Sequence, residues 1–160
     1  MLQQRRRLLS LPFAALGTAV SVRTGAAATP GPRTPDSAAS RATPAVEVAI
    51  LAGGCFWALQ AVLDRGDGVI ATTTGFTGGH TRNPTYDDVV AGGTGHLEAV
   101  KVEFDPRRVS FSRLLDVFWR NIDPTRVDEQ FCDIGRQYNP TVFHLTEAQL
   151  DAALASQAGL

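Results

Sequence analysis

The run Gly53-Gly54-Cys55-Phe56-Trp57 puts a cysteine after a Gly-Gly bend and at the first turn of an expected helix. Unpaired N–H groups and the positive end of the helix dipole favour thiolate over thiol there, so Cys55 reads as a nucleophile. A small buried core residue is the plainer reading of any cysteine. The strand–Gly-Gly–helix placement favours chemistry, and the glycines would let a substrate approach the backbone closely. On a helical wheel Trp57 falls with Gln60, Ala61 and Asp64, off the apolar stripe. It is placed either to line a pocket beside Cys55 or to pack on a loop.

Glu98 is the second reactive candidate. It shares strand parity with Val100, Val102 and Phe104, so it begins a strand on the side expected to be buried. A carboxyl there loses solvent, its pKa rises, and a neutral carboxylic acid can donate a proton. Parity alone leaves open that the strand begins in solvent. Tyr86, Asp133 and Tyr138 lie in loop-rich segments, and the two tyrosines are the only ones in the chain. His80, His96 and His144 lack metal-ligand spacing and there is no Cys-x-x-Cys, so no metal site is expected. Glycine motifs of the phosphate-binding kinds are also absent.

The elements that would position these residues follow from periodicity. Residues 46–52 alternate as a strand ending at Gly53-Gly54, and Cys55 to Arg65 reads as a helix with Phe56, Leu59, Val62 and Leu63 on one stripe. Val69 to Thr74 is a β-branched strand, Gly75 to Gly95 a loop, and Leu97 to Phe104 a third strand stopped by Asp105-Pro106. Ser110 caps a helix bearing Phe111, Leu114, Leu115, Phe118 and Ile122, which Asp123-Pro124 ends. A long polar loop runs through Gly135, Thr141 to Leu145 is a short strand, and Thr146-Glu147-Ala148-Gln149 is a capping-box pattern opening a last helix. The order β-α-β-β-α-β predicts an α+β fold, a ferredoxin-like split β-α-β sandwich with long irregular loops.

Composition bounds the rest. The apolar fraction of 44% supports a real core, and the length suits one domain. Residues 1–28 read as an export signal. Arg5, Arg6 and Arg7 precede an apolar run from Leu8 to Val22, which is shorter than a membrane span, and Gly25-Ala26-Ala27-Ala28 offers a cleavage site. The string Gln4-Arg5-Arg6-Arg7-Leu8-Leu9 is compatible with a twin-arginine signal. Residues 29–45 are a Pro/Ala/Ser-rich linker, and the domain is expected over 46–160. Removing residues 1–28 leaves 11 basic against 16 acidic side chains, a net charge of −5. That argues against nucleic-acid partners. No stable membrane anchor is expected, and a periplasmic or other extracytoplasmic location is.

The domain resembles the peptide methionine sulfoxide reductases of the A type. The resemblance rests on Gly54-Cys55-Phe56-Trp57, Gly75-Phe76-Thr77-Gly78-Gly79-His80, Asn83-Pro84-Thr85-Tyr86, Thr94-Gly95-His96-Leu97-Glu98-Ala99-Val100 and Asp133-Ile134-Gly135-Arg136-Gln137-Tyr138, in family order over about residues 47–155. It implies the same sandwich core. It also implies that Cys55 is the nucleophile, that Phe56 and Trp57 hold the substrate methyl group, and that Glu98 is the acid beside the sulfoxide oxygen. Tyr86 and Tyr138 would bind that oxygen, with Asp133 a polar residue of the same site. The implied reaction is thiol-dependent reduction of methionine S-sulfoxide, peptide-bound or free, through a cysteine sulfenic acid. It needs no bound cofactor. A thioredoxin-like thiol reductant is the implied electron donor, oxidised proteins are the partners, and a monomer is expected.

The sequence departs from the family pattern at Ala58, Gln60, Phe76 (usually tyrosine) and Asn139 (often arginine). None of these falls on a carried-over catalytic role. Relatives usually continue beyond the position of Leu160 with a tail that often bears the resolving cysteine, so a C-terminally truncated domain is expected. Cys132, beside Asp133, is the internal candidate to resolve a Cys55 sulfenate, or else a spectator thiol. Two other readings stay open. One is a thiol peroxidase using Cys55, which would need no methyl pocket. The other is a chain that binds oxidised methionine peptides without turnover or is an unstable fragment.

Overall fold

The computed structural model describes residues 46–160. The export-signal and linker readings, on residues 1–28 and 29–45, lie outside the described residues. Four strands make one antiparallel sheet: β1 (Glu47–Ala52), β2 (Val69–Thr77), β3 (Leu97–Phe104) and β6 (Thr141–Phe143), in the order β2-β3-β1-β6. The helices are α1 (Phe56–Leu63), α2 (Tyr86–Ala91), α3 (Phe111–Trp119) and α4 (Glu147–Gln157). With α1 and α3 as the two crossovers, this is the split β-α-β arrangement of the ferredoxin-like class.

Parity sets which strand residues meet the helices. Ala49 and Leu51 of β1 lie opposite Val102 and Val100 of β3, and all four are buried. Phe56, Leu59 and Leu63 of α1 and Phe111, Leu114, Leu115 and Phe118 of α3 pack onto that face. Each fully buried side chain of this kind contributes about 1.5–3 kcal/mol relative to leaving it in water. The Ser110 hydroxyl caps α3 by accepting from Arg113 N–H at 3.2 Å. The helix ends at Trp119, before Asp123-Pro124.

Other expectations need correction. Thr146 does cap α4, but Gln149 does not return the capping-box bond. Its side chain is buried, accepts from Leu145 N–H and donates to the Val48 carbonyl at 2.8 Å each, tying α4 to β1. Gly75 to Gly95 is not simply a loop. β2 continues to Thr77, and α2 occupies Tyr86–Ala91. Here Thr85 and Asp88 form a reciprocal capping box, with Thr85 N–H donating to Asp88 at 2.9 Å and Asp88 N–H to Thr85 at 3.2 Å. The polar segment before Gly135 folds in part, as a hairpin of β4 (Glu129–Gln130) and β5 (Asp133–Ile134) followed by a 3-10 turn, Arg136–Tyr138. The expected strand over Thr141 to Leu145 stops at Phe143.

Candidate active site

The expected helix start moves by one residue: Cys55 is the N-cap of α1 and is partly exposed. Its carbonyl accepts from Ala58 N–H at 3.1 Å and Leu59 N–H at 3.2 Å, which fixes the first turn. The two preceding glycines serve packing, not substrate approach. Both are buried, and a Cβ on Gly53 would sit 2.9 Å from Ile122 and 3.0 Å from Phe118. Gly54 has φ +81°, and a Cβ there would sit 3.0 Å from the Cβ of Gln130. Gly54 N–H donates to the Tyr138 carbonyl at 2.9 Å. The segment before the cysteine is thereby locked to the hairpin and the 3-10 turn.

Glu98 is 1% exposed, and its Oε2 accepts from the N–H of Phe56 at 3.0 Å. The carboxyl is therefore held on the first helical N–H after Cys55. Burial pushes its pKa up, the charge of Asp133 adds to that, and the Phe56 N–H works against it. The same desolvation raises both tyrosines, with the Glu98 charge the next cause in each case. Cys55 and Asp133 also act on Tyr86, while a hydrogen bond with Gln137 partly offsets the rise at Tyr138. Both phenols stay protonated at neutral pH and can donate. Tyr86 is the first residue of α2 and Tyr138 the last of the 3-10 turn, so two remote segments converge on one carboxyl.

Apolar walls complete the site. The Phe56 and Trp57 ring centroids are 5.3 Å apart, and Trp57 stacks on Tyr86 at 5.9 Å with 16° between planes. Phe76 joins them, 5.6 Å from Phe56 and 6.4 Å from Tyr86. Phe56 is buried at the back, whereas Trp57 is 59% exposed at the mouth. Sequence reading assigned Phe76 no part; its partnership with Glu98 depends on a strand register that periodicity does not give.

Cys132 is exposed in the two-residue turn of the β4–β5 hairpin, next to Asp133. Its neighbour Phe131 adopts φ +53°. Gln130, whose Cβ abuts Gly54, ties that hairpin to the Cys55 segment. The ring of His96 is held between Gly79 N–H, at 3.3 Å, and the Thr81 carbonyl, at 2.8 Å, bracing the segment that leads to Tyr86. A separate cavity of about 260 Å³ lies on the opposite face of the sheet, lined in part by Ile50, Thr73, Gly75, Ala99 and Lys101. Neither Cys55 nor Glu98 borders it.

A cysteine at a helix N-terminus, a buried acid beside it and two nearby phenols, carried by a ferredoxin-like fold, define a thiol–carboxyl site. Comparison with known proteins gives that class a family. Residues 47–160 match the family model for peptide methionine sulfoxide reductase, and the chain belongs to this family. A peptide methionine sulfoxide reductase MsrA of Erwinia tasmaniensis is 49% identical over 109 residues, 68% of this chain and 61% of that protein. One of Methanosarcina acetivorans is 47% identical over 115 residues, 72% of this chain and 61% of that protein. The solved methionine sulfoxide reductase A of Corynebacterium diphtheriae superposes with TM-score 0.67 at 32% identity, covering 74% of this chain and 56% of that one. The reduced form of Mxr1 from Saccharomyces cerevisiae gives TM-score 0.67 at 25% identity, covering 71% of this chain and 67% of that one. The chain spans about 61% of the length of the first two curated relatives.

Proposed function

We propose that this chain reduces methionine S-sulfoxide, free or in a peptide, to methionine and so repairs oxidised proteins. The observation that carries the proposal is the Glu98 carboxyl, buried and bonded to the N–H that follows Cys55, with two phenols near enough for its charge to raise their pKa. A sulfoxide is a poor electrophile because its oxygen would leave as oxide. Attack on its sulfur needs a thiol and a proton donor together. Cys55 supplies the sulfur and Glu98 the proton. Tyr86 and Tyr138 donate to the oxygen as its charge develops, without adding a net charge.

The methionine sulfur gains the two electrons that Cys55 loses. The oxygen ends on Cys55 as a sulfenic acid, and methionine leaves. A second thiol then condenses with the sulfenic acid, forming an S–S bond and releasing water. Cys132 is that thiol in this reading, supported by its exposure and by the Gly54–Gln130 contact that joins the two segments. A thioredoxin-like dithiol reduces the disulfide, and no bound cofactor takes part. Phe56, Trp57 and Tyr86 form a box for the S-methyl group, and peroxide has nothing to fill it. The exposed Trp57 suits a side chain presented on a peptide surface. Export directs the protein to extracytoplasmic substrates, where it acts as a monomer.

The test is methionine release from a peptide bearing each sulfoxide epimer, with dithiothreitol as reductant. The S epimer is turned over, and Cys55→Ser abolishes the reaction. Peroxide consumption without methionine release, or wild-type turnover by Cys55→Ser, rejects the reading.

A further inference from the structure

Phe76 and Glu98 are direct antiparallel partners in the β2–β3 register. Residues so paired share one face of the sheet, with Cβ atoms about 4.5–5.5 Å apart. The Phe76 ring lies over that face, in contact range of the Phe56 and Tyr86 rings and against the core. We propose that Phe76 is a positioning residue for the acid step, whose ring keeps water from the Glu98 carboxyl and so holds it ready to donate a proton. The proposal rests on the reading of Glu98 as the proton donor.

The surroundings of the carboxyl leave this task to an apolar neighbour. From α1 it accepts the Phe56 N–H, with Cys55 at the N-cap; the charge of Asp133 on β5 acts on it, and its own charge acts on the phenols of Tyr86 on α2 and Tyr138 on the 3-10 turn. No cation is among the groups that set its charge. His96, two residues earlier, spends both ring nitrogens on Gly79 and Thr81. Across the ladder, β2 presents only Phe76 at the paired position. The N–H favours the anion and Asp133 opposes it, so exclusion of water decides the balance. Phe76 bounds the carboxyl on the edge-strand side, where β2 has no further strand to shield it.

The experiment uses the full chain with Phe76→Ser, Phe76→Gln and Phe76→Leu. Glu98 is titrated by carboxyl-carbon magnetic resonance, assigned with Glu98→Gln, and single-turnover methionine formation is followed against pH. The two polar variants are expected to lower the Glu98 midpoint by about one pH unit and to move the alkaline limb of the rate with it. Above that limb their rate falls roughly 10-fold. Phe76→Leu, which stays apolar, keeps both close to wild type. Phe76→Gln removes less volume than serine does and serves if the serine variant does not fold. A folded polar variant with an unmoved Glu98 midpoint overturns the proposal. So does a rate lowered equally at every pH and in the leucine variant, which marks a merely structural role. A wild-type chain that makes no methionine defeats the functional reading instead, and the titration still reports on the Phe76–Glu98 pair.

Discussion

The N–H of Phe56 donates to Glu98 Oε2 at 3.0 Å, across 42 residues of sequence. This bond links the residue after Cys55, the proposed nucleophile, to the carboxyl of Glu98, the proposed acid. A neutral carboxylic acid accepts best at its carbonyl oxygen, so the acid proton belongs on Oε1, away from the helix. Glu98→Gln keeps the shape and the accepting oxygen and removes the proton. We expect single-turnover methionine formation to fall by about 100-fold or more, with sulfoxide binding little changed. An unchanged single-turnover rate rejects Glu98 as donor.

The same substitution has a stability signature with a defined sign. The folded-state pKa of Glu98 is raised above the ordinary 4.5, so the folded chain binds the proton more tightly than the unfolded chain. The stabilising term is fully present below the unfolded pKa and is lost as pH rises through the folded one. Glu98→Gln is uncharged throughout and escapes this loss. Its thermal midpoint should match wild type at about pH 4 and exceed it at about pH 8. A variant less stable than wild type at the higher pH contradicts the burial-driven shift.

Tyr138 and Tyr86 should differ in weight. Tyr138 is buried, and its main chain anchors Gly54, whereas Tyr86 is 43% exposed. Tyr138→Phe removes a donor from the drier side of the site and should lower kcat by about 100-fold. Tyr86→Phe, replaceable in part by water, should cost about 10-fold, and the double variant should fall below either. Both rings persist in these variants, so KM should move little. Equal and small effects on kcat from both would reject the phenols as donors to the oxygen and leave Glu98 alone in that role.

Much of this site was legible because it depends on parity and helix starts. Glu98 shares a face with Val100 and Phe104, and Cys55 precedes an apolar 3.6-residue stripe; both patterns are local. The capping of α2 was written in the sequence too, as Thr85 followed three residues later by Asp88. Its short β-branched run, Val89-Val90, hid the helix. Phe76 was not legible, because its pairing depends on the irregularity between Val69 and Ala71 that sets the β2–β3 register. Gln149 satisfies the capping pattern by letters alone; its amide instead reaches the Val48 carbonyl on β1. The glycines before Cys55 were misread because their neighbours, Phe118, Ile122 and Gln130, are distant in sequence.

An acid-stability prediction comes from the end of β3. Asp105 is buried, and its carboxylate takes Arg107 Nη2 at 2.7 Å, Nε at 2.9 Å and the Arg107 backbone N–H at 3.0 Å. These bonds hold its pKa down, to about 2 from an ordinary 3.8. The folded chain binds this proton less tightly than the unfolded chain. The stabilising term is present above pH 3.8 and lost as pH falls toward about 2. Asp105→Asn should lower the thermal midpoint at neutral pH and flatten its decline across that window. A variant whose acid unfolding curve parallels wild type contradicts the assignment.

Cys132 gives the last prediction. Two cysteines are present in the chain, and in the proposed reaction one turnover without reductant oxidises Cys55. If Cys132 resolves it, one equivalent of sulfoxide consumes both thiols and leaves a disulfide. Cys132 is exposed in the turn of the β4–β5 hairpin, so its thiol is open to attack on a Cys55 sulfenic acid. In Cys132→Ser the sulfenic acid has no internal partner and should accumulate, where a sulfenate-selective dione traps it. Dithiothreitol reaches Cys55 directly, so turnover with that reductant should survive. Turnover with a thioredoxin-like dithiol should drop, since that reductant acts on the disulfide. Persistence of one free thiol in the wild type after a full single turnover makes Cys132 a spectator, and leaves the external thiol to attack Cys55 itself.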